Sequence, residues 1–282
     1  MMKLIRDSRQ MHVFSTKVRR AGRTIGLVPT MGYLHEGHLS LARRARRDTD
    51  IVVMSIFVNP AQFGPKEDLK KYPRDLKRDI KLAKGAGVDA IFYPSAEAMY
   101  PDGYKTYVGV RELSDILCGK SRPGHFAGVA TVVAKLFNIM DCDVAYFGQK
   151  DAQQALIIKK MAADLNLPLK IKVMPIIREK DGLAMSSRNK YLSPRERRDA
   201  AVLHQALLLA KSLIRRGRKA PAYLVSRMKD LIREKKSARI DYIDIVDARD
   251  LSPVKSIQGK VLILLAVWIG KTRLIDNIII NG

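Results

Sequence analysis

Several features that define specialised protein classes are scarce in this sequence of 282 residues. Its two cysteines, Cys118 and Cys142, show no Cys-x-x-Cys spacing, so a disulfide framework is not expected. The longest apolar run, residues 261–269, is too short to cross a bilayer, and the N-terminus has no apolar signal core. We therefore expect a cytoplasmic protein with no membrane partner.

The two common glycine-rich nucleotide motifs are also missing. The sequence contains no Gly-x-Gly-x-x-Gly dinucleotide fingerprint. Gly119-Lys-Ser and Gly270-Lys-Thr resemble the end of a P-loop, but Ser114 and Leu265 stand where that motif requires its upstream glycine. A nucleotide bound by this chain must therefore be held by another device.

Acidic residues are scarce relative to basic ones. The chain has 52 Lys and Arg against 28 Asp and Glu, a formal net charge of +24. Such a field attracts polyanions, ATP included, and nucleic acid must be considered. The basic clusters lack the interleaved aromatics of a single-strand platform, and basic helix faces are usually solvated surface. We expect no specific nucleic acid partner, and a basic nucleic-acid-binding protein is the alternative outside the enzymes.

One stretch, Leu-Val-Pro-Thr-Met-Gly-Tyr-Leu-His-Glu-Gly-His over residues 27–38, joins an apolar strand to an amphipathic helix. A helix N-terminus offers unpaired N–H groups and partial positive charge, so this turn is suited to phosphate. His35 and His38 can donate hydrogen bonds to phosphate oxygens as charge moves during nucleotidyl transfer. The alternatives are purely structural histidines or zinc, but His-Glu-x-His is not the His-Glu-x-x-His zinc spacing and no third ligand is evident.

The remaining chain alternates strands and helices, which predicts an α/β fold. Apolar runs at 51–58, 88–93, 143–147 and 169–174 predict strands of a Rossmann-like, doubly wound parallel sheet, with a further short strand at 106–110. Helices are predicted over 194–216 and 221–236, and strands over 239–246, 261–268 and 273–280. We therefore predict two domains, residues 1–178 and a smaller α+β domain at 179–282 that closes over the active site.

Polar loops follow several of the predicted strands, at the edge where open α/β sheets bind ligands. Asn59 and Gln62 follow the 51–58 strand, while Arg122 and His125 stand in a loop with two glycines that leads into a predicted helix. Lys150 opens another helix, where it can neutralise phosphate, and Ser186-Ser187-Arg188 is suited to grip phosphate from a flexible loop. Each of these residues taken alone is also compatible with ordinary loop or surface chemistry.

The motifs together resemble a known family. His-x-Gly-His after a first strand resembles the signature of the nucleotidyltransferase superfamily, which includes class I aminoacyl-tRNA synthetases and small adenylyltransferases. The fuller motif over residues 29–38, with Asn-Pro-x-Gln-Phe, Arg-Pro-Gly-His-Phe, Gly-Gln-Lys-Asp-x-Gln-Gln and Ser-Ser-Arg in the same order, is similar to the pantothenate synthetases, the pantoate–β-alanine ligases. The family has glutamate where this chain has Gln149, a departure that we expect to be tolerated.

The resemblance implies a role for each matching residue. It implies catalytic roles for His38, His35, Lys150, Ser186, Ser187 and Arg188. It implies nucleotide contacts from Met31, Gly32, Tyr33, Leu34, His35, Glu36, Gly37, His38, Gly148, Gln149, Lys150, Asp151, Ile177, Met185, Ser186, Ser187 and Arg188. It implies substrate contacts from Gln62, Asn59, Gln154, Arg122 and His125. Asp79, on the predicted 72–84 helix, is a candidate ligand of magnesium, and the alternative is an ordinary solvated carboxylate on an exposed helix.

The implied reaction condenses (R)-pantoate with β-alanine, with ATP and Mg2+, to give pantothenate, AMP and pyrophosphate through a pantoyl adenylate. Another small-molecule adenylyltransferase of the superfamily is the alternative enzyme, and it would need different acceptor contacts from those at Gln62, Arg122, His125 and Gln154. The resemblance further implies a homodimer. The sequence identifies no base for the β-alanine step.

Overall fold

The computed structural model describes residues 2–65 and 67–282, and a six-stranded parallel sheet organises its N-terminal part. Its strands are β1 (Lys3–Ile5), β2 (Ile25–Thr30), β3 (Ile51–Ile56), β4 (Ala90–Phe92), β5 (Val144–Gly148) and β6 (Lys170–Met174). They lie in the order β1-β4-β3-β2-β5-β6. Strands β2, β3 and β4 are apolar along nearly their whole length because helices cover both faces of a parallel sheet.

Helices pack on both faces of this sheet. The helices in this part are α1 (Ser8–Arg20), α2 (Glu36–Asp48), α3 (Leu76–Gly85), α4 (Ala96–Met99), α5 (Cys118–Ser121), α6 (His125–Met140) and α7 (Ala152–Asp164). Apolar residues of α1, α6 and α7 form one buried cluster with the sheet, and those of α2 and α3 form the other. The sheet is therefore doubly wound, as the sequence predicts.

The C-terminal part is built on a smaller antiparallel sheet. It contains β7 (Ala238–Asp247), β8 (Lys260–Ile269) and β9 (Thr272–Asn281) in the order β7-β8-β9. Helices α8 (Pro194–Asp199), α9 (Val202–Arg215) and α10 (Pro221–Arg233) precede it, and α9 and α10 share its main apolar core. Leu262 and Leu264 of β8 pack on the other side against Ala152 of α7.

The predicted fold class is confirmed, with two local errors. Residues 106–110 form no strand, since the segment pairs with no neighbour, and Val108 N–H instead donates to the Thr131 hydroxyl at 2.9 Å. The helix predicted over 194–216 is divided into α8 and α9 at Ala200 and Ala201. The division of the chain at residues 178 and 179 stays a prediction.

The strand order reverses between β2 and β5. From β2 the chain continues outward through β3 and β4, and later returns to place β5 on the other side of β2. Open α/β sheets bind ligands at such a switch point, beside the carboxyl ends of the strands. Throughout residues 2–65 and 67–282, no helix has both the length and the apolar character needed to span a membrane.

Candidate active site

A cleft opens at the carboxyl ends of β2 and β5. It contains two neighbouring cavities of about 850 and 710 Å3, measured to their open mouths. The larger cavity is lined by α2, the turn after β5 and residues 175–188, and the smaller one by β2, α6 and the loop after β3. His38, Met31 and Gln154 line both cavities, so ligands in the two would meet beside these residues.

The turn between β2 and α2 fixes both histidine rings through its backbone. His35 is the N-cap of α2, and its Nδ1 accepts from Gly37 N–H at 3.2 Å. His38 Nδ1 accepts from His35 N–H at 3.3 Å, which completes a capping box. A backbone N–H can only donate, so each neutral ring carries its proton on Nε2. Both imidazoles therefore present an Nε2–H donor beside the N-terminus of α2.

The surroundings keep these rings uncharged. Burial, followed by the Lys150 ammonium, lowers the pKa of His35 from 6.5 to about 4. Burial, followed by His35 and Lys150, lowers the pKa of His38 well below 6.5. The ring centroids are 4.0 Å apart, and two imidazolium charges at this distance would repel each other. At neutral pH the pair acts as two hydrogen-bond donors without net charge.

Asp79 of α3 holds the turn from beneath. It is 1% exposed, and its two carboxylate oxygens accept from Tyr33 N–H at 2.7 Å and Leu34 N–H at 2.8 Å. Gly32 and Tyr33 both have left-handed backbone, with φ of 81° and 49°. Tyr33 is strained in that region, so the carboxylate stabilises a backbone that the sequence alone disfavours.

Asp79 is thus a buried anchor rather than the residue on an exposed helix that the sequence predicts. Burial raises the pKa of its carboxyl, although the two N–H groups oppose this shift. As a magnesium ligand Asp79 stays a prediction, and one that must compete with two backbone hydrogen bonds. No group of three or more His, Cys, Asp or Glu suited to a metal ion occurs in the part of the chain that the structure describes.

The smaller cavity combines amides with an apolar wall. Gln62 and Gln154 line it, and so does Asn59. The apolar side consists of Phe57, Val129, Val132, Val133, Leu136 and Phe147. Such a cavity suits a small branched molecule with a few oxygen atoms.

Arg122 and Arg188, the two arginines predicted at the site, are already paired with acids. Arg188 donates through Nε and Nη2 to Asp68 at 3.0 and 2.9 Å. Arg122 donates in the same forked manner to Glu67 at 2.6 and 2.7 Å. The two acids are neighbours in the segment between β3 and α3, so two consecutive residues neutralise both guanidinium groups.

His125 is committed to structural contacts. Arg122 Nη1 donates to its Nε2 at 2.8 Å, and its Nδ1 lies 2.8 Å from the Gln62 carbonyl oxygen. Since an arginine only donates and a carbonyl only accepts, this ring is neutral with its proton on Nδ1. Burial, followed by Arg122, lowers the pKa of His125 to about 4. Its contacts connect Arg122 to the backbone of Gln62.

Strand β9 supports the turn that carries Lys150. Asn277 Nδ2 donates to the carbonyl oxygens of Gln149 and Lys150 at 2.9 and 3.0 Å, and the Gln149 amide donates back to Asn277 Oδ1 at 3.2 Å. Asp276, also on β9, forms a forked ion pair with Arg178 at 2.6 and 3.0 Å. The antiparallel sheet therefore helps to set the position of the lysine in the larger cavity.

Most of the predicted nucleotide contacts lie on the larger cavity, and some do not. Those on its wall are Met31, His35, Gly37, His38, Gly148, Lys150, Asp151, Ile177, Met185, Ser186, Ser187 and Arg188. The Leu34 side chain is buried in the core, Glu36 pairs with Arg43, and the Gln149 amide is turned toward Asn277. Gly32 and Tyr33 belong to the turn held by Asp79, off the cavity wall.

Three residues of the loop after β3 also belong to the site, although no sequence motif indicated them. Glu67 and Asp68 pair with the arginines, and the Tyr72 hydroxyl lies 3.4 Å from Ser187 Oγ. Open α/β sheets bind ligands beside the carboxyl ends of their strands, and this rule applies to the whole loop after β3, including these three residues. Asn277 comes from the distant antiparallel sheet, and no spacing in the sequence connects it to the turn that carries Lys150.

Comparisons with known proteins agree on one family. A family model described as pantoate-beta-alanine ligase matches residues 3–279. The pantothenate synthetase of Moorella thermoacetica is 57% identical over 280 residues, covering 99% of each chain. That of Caldicellulosiruptor saccharolyticus is 59% identical over 265 residues, covering 94% of each chain.

Solved structures agree as well. A crystal structure of pantothenate synthetase from Thermus thermophilus matches with a TM-score of 0.93 and 43% identity, over 98% of this chain and 99% of that one. The pantoate-beta-alanine ligase of Francisella tularensis, crystallised with beta-gamma ATP and beta-alanine, matches with a TM-score of 0.81 and 35% identity, over 99% and 97% of the two chains.

Proposed function

Because the chain belongs to the pantoate–β-alanine ligase family and so condenses pantoate with β-alanine using ATP, we propose that both steps of this reaction occur in the cleft beside β2 and β5. In the first step, a pantoate carboxylate oxygen attacks the α-phosphorus of ATP and pyrophosphate leaves. In the second, the β-alanine amine attacks the acyl carbon, loses a proton and releases AMP. The observation that carries the proposal is the shared wall of the two cavities at His38 and Gln154.

ATP occupies the larger cavity in this proposal. Ile177 and Met185 line it and offer an apolar contact for the base, while Lys150, Ser186 and Ser187 face the phosphates. The α2 N-terminus supplies partial positive charge, and the Nε2–H groups of His35 and His38 donate to phosphate oxygens. These donors are positioned before the reaction, so they can stabilise the charge that develops at phosphorus without reorganising.

Pantoate occupies the smaller cavity. The amides of Gln62 and Gln154 bind its carboxylate and hydroxyl groups, and the apolar wall holds its two methyl groups. This places the carboxylate next to His38, at the boundary with the ATP cavity. Most of the rate enhancement then comes from orientation and from charge stabilisation at the phosphate.

β-Alanine enters from the side of Arg122, which lines a third cavity together with Lys150, Gln154, Ser186 and Arg188. The β-alanine carboxylate binds near the guanidinium groups of Arg122 and Arg188, and its uncharged amine faces the adenylate. His125 is a poor base for this step because both of its nitrogens are occupied. Correct placement of an amine that has already lost its proton suffices for attack.

Two further proposals concern magnesium and assembly. ATP carries Mg2+, which proteins usually hold through the phosphates and one or two carboxylates. Asp151 lines all three cavities and would supply such a carboxylate, although the described residues form no preassembled metal cluster. We also propose a homodimer, by analogy with the family.

The test is isotope exchange between labelled pyrophosphate and ATP. If pantoyl adenylate forms first, exchange requires pantoate and proceeds without β-alanine, and AMP accumulates only when both are present. Exchange that requires β-alanine would contradict an adenylate formed before the amine binds. Exchange supported by a different carboxylic acid, and not by pantoate, would identify another adenylyltransferase.

A further inference from the structure

Every hydrogen-bonding position of the Asn59 side chain is already used within the protein. Its Oδ1 accepts from the Tyr100 hydroxyl at 2.8 Å and from Ala61 N–H at 3.2 Å. Its Nδ2 donates to the Gly128 carbonyl oxygen and to Gln62 Oε1, each at 3.1 Å. A side-chain amide has two donor hydrogens and two acceptor lone pairs, so none remains for a substrate. Asn59 is also only 1% exposed.

Backbone partners fix which end of this amide is oxygen. Ala61 N–H can only donate, so the atom facing it must be Oδ1, and the Gly128 carbonyl can only accept, so the atom facing it must be Nδ2. Helix α6 approaches the loop after β3 closely at Gly128, where a side chain would not fit. A Cβ added there would lie 2.1 Å from the Ala61 carbonyl oxygen. The orientation of Asn59 is therefore set independently of Gln62.

Asn59 in turn sets the orientation of Gln62. Because Asn59 Nδ2 donates to it, the Gln62 atom on that side must be Oε1. The other atom, Nε2, then lies in the smaller cavity, where it is 3.0 Å from the Met31 sulfur. A thioether is a weak acceptor, so a carboxylate or hydroxyl oxygen would replace it favourably.

We propose that Asn59 and Tyr100 are positioning residues that hold the Gln62 amide with its N–H2 toward the pantoate cavity. The cavity thereby selects a ligand with an oxygen acceptor at this point, as a 2-hydroxy carboxylate has. This inference rests on the proposed binding of pantoate by Gln62. It replaces the direct substrate contact predicted for Asn59 by an indirect role, and it adds Tyr100, which no sequence motif indicated.

Tyr100 acts from outside the cavity. It does not line the cavity wall, and its hydroxyl reaches Asn59 from the loop after α4. Burial, followed by the neighbouring Tyr104 and Tyr107, raises its pKa, so the phenol remains a donor throughout the working pH range. Lys135 lies over the rings of Tyr100 and Tyr104 at 5.6 and 4.6 Å and packs both tyrosines on α6.

The test compares Tyr100→Phe with Tyr104→Phe. The first variant removes only the hydroxyl that donates to Asn59. We expect its KM for pantoate to rise about fivefold, the effect of one hydrogen bond, with the KM for ATP unchanged. Tyr104→Phe removes a hydroxyl from the same aromatic cluster and should leave both constants unchanged. An equal rise in both KM values for Tyr100→Phe would indicate general loosening and overturn the proposal.

A double variant separates this inference from the proposed function. Gln62→Ala should raise the KM for pantoate, and adding Tyr100→Phe should then change it no further, because Tyr100 acts through Gln62. If Gln62→Ala raises this KM and Tyr100→Phe alone does not, the positioning role is wrong and the pantoate site stands. If Gln62→Ala leaves the KM for pantoate unchanged, Gln62 does not bind pantoate, and the positioning role of Asn59 and Tyr100 is also wrong.

Discussion

The two walls of the cleft hold their polar groups in opposite ways. On the histidine wall, His35 and His38 are uncharged donors whose positions are fixed by backbone N–H groups, and Asp79 anchors the turn that carries them. On the arginine wall, Arg122 and Arg188 are charged, and each is already paired with an acid of the loop after β3.

The difference follows from the cost of burial. A buried cation without a partner is expensive, so arginines in a narrow cleft are paired before any ligand arrives. A neutral imidazole has no charge to desolvate, so an Nε2–H group without a protein partner costs much less than an unpaired guanidinium. The histidine wall can therefore act on phosphate without rearrangement, whereas a ligand must compete with Glu67 for Arg122 and with Asp68 for Arg188.

The largest expected effect tests the histidine wall directly. His38→Ala removes a donor from the point where the two cavities meet, and we expect pantoate-dependent pyrophosphate exchange to slow by about 10²–10³-fold, as for loss of one positioned donor. His12→Ala, on the exposed face of α1, is the matched control. A His38→Ala enzyme with at least a tenth of wild-type exchange would remove His38 from the mechanism.

The anchor of that wall should matter next. Asp79→Asn keeps the size of the side chain but turns an amide nitrogen toward one of the two backbone N–H groups. We expect the free energy of unfolding to fall by about 1–3 kcal/mol and kcat/KM for ATP to fall about tenfold. Chemical denaturation and steady-state kinetics measure the two effects, with exposed Asp102→Asn as the control. Lost stability with unchanged ATP kinetics would mean that Asp79 does not position the histidines.

The neutral state of the histidines has a pH signature. With pKa values far below 6.5, neither ring gains a proton on moving from pH 7.5 to 5.5, so kcat/KM for ATP should change by less than about twofold from this cause. Plots of kcat/KM for ATP against pH for His38→Ala and His35→Gln show which changes of slope belong to these rings. An acidic limb centred near 6.5 that is lost in either variant would contradict the neutral donors.

The pKa of His35 also predicts how stability depends on pH. A histidine that gains an acidic partner loses its contribution to stability as the pH rises, whereas His35 should lose its contribution as the pH falls. The folded state lowers the pKa of His35 to about 4, so protons bind more tightly to the unfolded chain. Its contribution to stability is complete above pH 6.5 and is lost as the pH falls toward 4, by up to about 1.4 kcal/mol per pH unit. Urea titrations should give a shallower pH dependence for His35→Gln, and equal slopes for both proteins would refute this assignment.

The histidine wall was also the more predictable of the two from sequence. The strand, the glycines, the histidines and the following helix are neighbours in the chain, so local pattern and resemblance together indicated the turn. The hydrogen bonds that fix the ring protons depend on the same local backbone. Its anchor, by contrast, was expected on an exposed helix, because the burial of Asp79 depends on how α3 packs beneath a turn 46 residues away.

The arginine wall was only half predictable. Arg122 and Arg188 stand in recognisable motifs, but their partners Glu67 and Asp68 lie 55 and 120 residues away in the sequence. No periodicity or spacing connects such residues, since only the folded sheet brings the loop after β3 to both arginines. The saturated hydrogen bonds of Asn59 were hidden for the same reason, because Tyr100 and Gly128 come from other elements.

A last substitution tests whether Asp68 competes with ATP for Arg188. Asp68→Asn removes a negative charge beside Arg188 and weakens its forked ion pair. Removing that charge makes the cleft more attractive to a polyphosphate, so we expect the KM for ATP to fall about threefold, and the free energy of unfolding to fall by about 1 kcal/mol. Asp181→Asn disrupts a similar fork, with Arg197, away from the cavity wall and should cost stability without changing the KM. A raised KM in Asp68→Asn would mean that Asp68 orients Arg188 for ATP, and both walls would then be positioned in advance.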